Sequence, residues 1–113
     1  YHAHVIGWEM HNEPDVAFVP DMPDAYVAIA KAAFLGMKAA DFANGSWRPV
    51  LNGALAIHPG TWLERAAHNG LLDYADAWNV HYYGHPEQFT AALNSYAAAF
   101  AELPVVARPP WAR

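Results

Sequence analysis

Three apolar runs, His4–Met10, Arg48–Ala56 and Ala77–Tyr83, alternate with stretches whose apolar residues recur every three or four positions. That alternation narrows the fold more than any other feature. Runs that are apolar on both faces read as strands covered on both sides, and amphipathic helices between them supply the cover. From Pro23 to Ala43 the series Tyr26, Ile29, Ala33, Met37 and Ala40 marks one helix face, with Lys31, Lys38 and Asp41 expected opposite. Pro23 suits an early helical position and Asn44-Gly45 a stop. Thr61-Trp62-Leu63-Glu64 fits a capping box opening a shorter helix that ends near Asn69-Gly70. A third helix starts at Pro86, with Phe89, Leu93, Tyr96, Phe100 and Leu103 along one face. Leu103–Ala107 then reads as a fourth strand.

The expected class is therefore α/β, with about four parallel strands alternating with three helices in one domain over residues 1–113. Four such units are about half of a (β/α)8 barrel, which takes around 250 residues, so the expectation is a partial TIM barrel truncated at both ends. A doubly wound sheet competes with it, but no Gly-rich phosphate loop follows the first run. The chain is 55% hydrophobic and 15% charged, against about 25% charged for an ordinary domain. A half barrel exposes apolar edges, so low solubility is expected of the chain alone.

Charge excludes one class of partner. The net charge is −5, and Lys31, Lys38, Arg48, Arg65, Arg108 and Arg113 are scattered, which is no footprint for nucleic acid. Lys31, Lys38 and Asp41 interrupt the longest alanine-rich stretch, so no membrane span is expected. The absence of cysteine removes disulfides and thiolate metal sites, while localisation and oligomeric state stay unread. His2-x-His4 and His81-x3-His85 have spacings a metal could use, yet no carboxylate completes a ligand set, and neither metal nor cofactor is expected.

In a parallel barrel, chemistry collects where the strands end. The first run ends in His11, Asn12 and Glu13, the second in Asn52 and Gly53, and the third in His81, Tyr82, Tyr83 and Gly84. Ala75-Asp76 and Glu102-Leu103, at the opposite rim, show no comparable cluster. Taken alone, Glu13 would be a turn-capping carboxylate, Asn12 a turn residue, His81 a core histidine and Trp8 a core indole.

The segment GWEMHNEPD, residues 7–15, resembles the W-E-x-x-N-E-P segment on the fourth strand of retaining glycoside hydrolases of the large (β/α)8 superfamily often called clan A. YADAWNVHYYG, residues 74–84, resembles the sixth strand of the same enzymes, in the xylosidase- and iduronidase-like or the cellulase-like branch. The resemblance spans the fourth to the seventh strand. It implies a double displacement, in which a protonated carboxyl gives its proton to the leaving oxygen while a second carboxylate about 5–5.5 Å away attacks the anomeric carbon. By resemblance Glu13 is the acid/base, with a pKa expected to be raised. Asn12 would bond the 2-hydroxyl of the sugar, and His81 and Tyr83 would line the subsite. Trp8 is a candidate sugar contact, and Glu9 an interior charge paired within the barrel. The implied partner is an oligosaccharide, polysaccharide or other glycoside.

The family's nucleophile is a second Glu ending the seventh strand. Here that stretch reads LPVVARPPWAR, with no Asp or Glu after Glu102. Two functions are therefore carried forward: a glycosidase fragment bearing the acid/base, and a catalytically inactive carbohydrate-binding relic of the same barrel.

Overall fold

The computed structural model describes residues 4–16, 22–56 and 60–103. Among them, strand β1 (Trp8–Glu9) pairs in parallel with strand β2 (Val50–Leu51), with Trp8 opposite Val50 and Glu9 opposite Leu51. Isolated parallel bridges carry the pairing further, from Asn12 to Ala54, from Leu51 to Ala77 and from Leu55 to Val80. Three extended runs thus lie side by side in sequence order, with helices in both connections. The arrangement is mixed α/β, as expected, although the regular strands are shorter than the apolar runs that contain them. The fourth run, Leu103–Ala107, falls almost wholly outside the described residues.

Helix α1 (Met22–Ala43) carries Pro23 in its first turn, where a missing N–H costs nothing. It closes at Gly45, whose φ of 63° is left-handed, while the Ser46 N–H donates back to the Asp41 carbonyl. Helix α2 (Thr61–His68) ends at Asn69 as expected, but Gly60 is its N-cap and no side chain caps it. The capping box at Thr61 and Glu64 does not form, because Thr61 already lies inside the first turn. A 3₁₀ turn at Pro86–Gln88 leads into helix α3 (Phe89–Glu102), where Tyr96 is buried, Phe100 is half-buried with its ring centroid 4.5 Å from that of Trp78 in a tilted pair, and Phe89 and Leu93 remain exposed.

The core is Met10, Tyr26, Val27, Ala30, Phe34, Val50, Ala66 and Leu71. The inner face of α1 is accordingly Tyr26, Val27, Ala30 and Phe34, continued by Lys38 and Asp41. This corrects part of the face expected from sequence, since Tyr26, Ala33 and Met37 do lie in or against the core. Ile29 and Ala40 point to solvent, whereas Lys38 is 8% and Asp41 1% exposed. Burial of those charges is tolerated because each is matched. Lys38 pairs with Asp76, donates to the Arg48 carbonyl at 2.7 Å and lies 4.3 Å from the Trp47 ring centroid. Arg48 pairs with Asp41 at 2.7 Å and donates to the Val5 carbonyl at 2.6 Å. Asp76 accepts from the Val50 N–H at 2.8 Å, so the network ties α1 to the starts of all three runs. The rim that looked empty in sequence carries two charge pairs, Lys38–Asp76 and Arg48–Asp41.

Burial alone would push the Asp41 carboxyl up, but the Arg48 N–H, the Arg48 guanidinium and the Ser46 hydroxyl outweigh it and hold it below the usual range. A carboxyl depressed in the folded state stabilises the fold above its unfolded pKa of about 4, and that contribution is lost as pH falls through the folded value. Asp41→Asn should therefore lower the melting temperature at pH 7, and the gap to wild type should narrow steadily below about pH 4. Parallel thermal melts across pH check this; a gap independent of pH would remove Asp41 from the ledger.

Candidate active site

The backbone turns sharply after β1. The Met10 N–H still donates to the Leu51 carbonyl at 3.1 Å, but His11 and Glu13 both adopt left-handed conformations, with φ of 69° and 45°. Each such residue other than glycine stores on the order of 1–3 kcal/mol and persists only where its surroundings impose it. Hydrogen bonds of Glu13, Tyr26 and Asp15 do so here. The Glu13 N–H donates to the Ala54 carbonyl at 3.0 Å. The Tyr26 hydroxyl, fully buried on α1, donates to the Met10 carbonyl at 3.3 Å and accepts from the Gly53 N–H at 2.8 Å. Asp15 accepts the Ala56 N–H on both oxygens, at 3.0 and 3.1 Å. The turn also needs Gly53 itself, since a Cβ there would sit 2.4 Å from the Met10 carbonyl oxygen.

This geometry sets Glu13 against the end of the third run. Its Oε1 lies 2.6 Å from His81 Nδ1 and also accepts from the Tyr83 hydroxyl. That hydroxyl is 3.2 Å from His81 Nδ1, so two neighbouring groups converge on one carboxylate oxygen. The Glu13 side chain is 13% exposed and that of His81 34%, leaving the cluster open on one side. Two donors on one oxygen favour the ionised carboxylate. Tyr83 first and His81 second hold the Glu13 carboxyl below its usual value, and Glu13 in return pushes the Tyr83 phenol up. This reverses the raised pKa expected from sequence.

The other candidates divide. Asn12 is exposed on the same rim, directly before Glu13, with its backbone bridged to Ala54. Trp8 packs against the hydrophobic core, and its buried indole Nε1 has no hydrogen-bond partner among the described residues. Glu9 is held by neutral groups, accepting from the Ala54 N–H at 3.2 Å and from the Asn79 side-chain amide at 3.0 Å. Gly53 stood among the strand-end residues picked out from the sequence, whereas Tyr26 and Asp15 were not singled out as site-forming. A glycine near a strand end is a recognised signal of close backbone approach, whereas nothing marks Tyr26 except its place on the inner helix face.

Among the described residues no three His, Asp or Glu side chains are grouped to hold a metal, and no helix is long and apolar enough to cross a membrane. An open cleft of about 280 Å³ lies between α2 and α3, beside Leu63, His68 and Glu102, away from Glu13. No family model, curated protein or solved structure matches the chain.

Proposed function

We propose that the chain is the part of a retaining glycoside hydrolase that carries its acid/base, built on the fourth to seventh strands of a (β/α)8 barrel, with Glu13 in that role. The observation that carries this reading is the convergence of His81 and Tyr83 on Oε1 of Glu13. The three groups come from the ends of two parallel runs separated by one other, where ligand sites form in parallel α/β folds. Adjacent runs in sequence order, with helices in the connections, are also what a barrel requires. With Oε1 anchored, Oε2 is the oxygen left to exchange a proton with a glycosidic oxygen. Asn12, on the same rim, supplies an amide for a sugar hydroxyl, and the exposed Tyr83 ring adds an apolar face.

One observation favours the second reading, a carbohydrate-binding relic. Glu13 is held in its ionised form, and no carboxylate follows Glu102 to serve as nucleophile. The two readings share a substrate class and differ in turnover. Titration of the ¹⁵N-labelled chain with xylo- and cello-oligosaccharides should shift resonances of Asn12, His81 and Tyr83 together. Spectra that stay unchanged to millimolar sugar would sink both.

A further inference from the structure

The second and third runs do not pair evenly. Leu51 bridges Ala77 and Leu55 bridges Val80, so four steps along one run match three along the other. One extra residue in the second run is a bulge, a device that re-aims the side chains beyond it. Because side chains alternate, a slip of a single residue exchanges the two faces of a run. The bulge therefore decides whether His81 faces Glu13.

Asn52 closes this bulge. It is fully buried, and its side-chain amide takes the place of a missing rung. Its Oδ1 accepts the Asn79 N–H at 2.7 Å, and its Nδ2 donates to the carbonyls of Gly53 at 2.6 Å and Asn79 at 3.3 Å. Regular pairing resumes immediately beyond, with the Leu55 N–H on the Asn79 carbonyl at 3.1 Å and the His81 N–H on the Leu55 carbonyl at 2.7 Å. The Asn79 side chain points elsewhere, to Glu9.

We infer that Asn52 is a positioning residue: its amide fixes the register of the third run and so delivers His81 and Tyr83 to Glu13. The catalytic consequence rests on the proposed role of Glu13, but the positioning itself does not.

The test follows Glu13 directly, by ¹³C NMR titration of its carboxyl in the whole chain. Asn52→Ala should move the Glu13 midpoint up, toward an ordinary glutamate, as its two donors are lost. Asn79→Ala, which leaves the backbone contacts of Asn52 in place, should keep the wild-type midpoint. Val27→Ala should lower the melting temperature without moving it, which separates positioning from general stability. A folded Asn52→Ala chain with the wild-type midpoint would overturn the inference. Should that variant fail to fold, amide exchange in the wild type decides, because among the described residues the Asn79 N–H is held by the Asn52 side chain. Protection of about 100-fold or more supports the role, and exchange at the rate of a free amide contradicts it. Glu13→Gln having no effect on hydrolysis would defeat the proposed function while leaving this readout intact.

Discussion

Gly53→Ala should be the most destabilising glycine-to-alanine substitution among the described residues. The added methyl meets the Met10 carbonyl oxygen at 2.4 Å and His11 backbone atoms at 3.1 Å, all of them main chain and none able to swing aside. Overpacking a core typically costs about 1–3 kcal/mol when side chains can adjust, and here a strained turn must move, so about 3 kcal/mol or more is expected. For a domain of this size that lowers the melting temperature by at least about 10 °C. The cost has a functional side, because relief of the clash pushes the turn that carries Glu13 away from Ala54. The internal control is Gly36→Ala, at an exposed position of α1 where a Cβ meets nothing within 4 Å. It should stabilise the chain by roughly 0.5–1 kcal/mol through helix propensity. Paired thermal melts give the comparison, and equal effects of the two substitutions would refute the close approach at Gly53.

The second large effect is on rate. If Glu13 delivers a proton to the departing oxygen, Glu13→Gln should slow cleavage of unactivated glycosides, measured with azide supplied as the nucleophile, by about 10²–10⁴-fold. Glycosides of dinitrophenol, whose leaving group needs no proton, should be slowed far less, by under about tenfold. The contrast between the substrates, rather than the absolute loss, identifies an acid. Gln preserves the shape and can still meet the donors at His81 and Tyr83 through its carbonyl oxygen, so the fold is left undisturbed. A uniform loss across leaving groups would assign Glu13 to binding or structure. The resting ionisation of Glu13 adds a sign to the pH profile. With its carboxyl below the usual range, the acid form is scarce at neutral pH, and acid-dependent cleavage should rise as pH falls toward about 4.

Much of the fold was legible because its signals were local. The helix boundaries at Pro23, Asn44-Gly45, Asn69-Gly70 and Pro86 follow from proline and glycine chemistry that needs no tertiary context. Part of the inner face of α1, at Lys38 and Asp41, was misread for a tertiary reason. Lys38 and Asp41 looked like solvent residues until Asp76 and Arg48, far along the chain or beyond the helix end, arrived to match them. Thr61 lost its cap because Gly60 already takes the N-cap position. At the site, Glu13, His81 and Tyr83 were named from motif-like segments and do meet, while Trp8 packs against the core. Asn52 and Tyr26 act by filling backbone hydrogen-bond positions between elements. No spacing rule announces such a task; only the register of the runs reveals it.

The most direct test of the glycosidase reading replaces the carboxylate that the sequence lacks. Azide can attack the anomeric carbon in its stead, while the bond to the aglycone breaks and Glu13 gives its proton to the leaving oxygen. The chain is incubated with phenyl glycosides, with and without sodium azide, and the product is followed by proton NMR. A glycosidase piece should yield glycosyl azide of inverted anomeric configuration, dependent on azide and reduced by Glu13→Gln. Sugar binding with no glycosyl azide at any azide concentration would contradict the catalytic role and leave the binding relic standing.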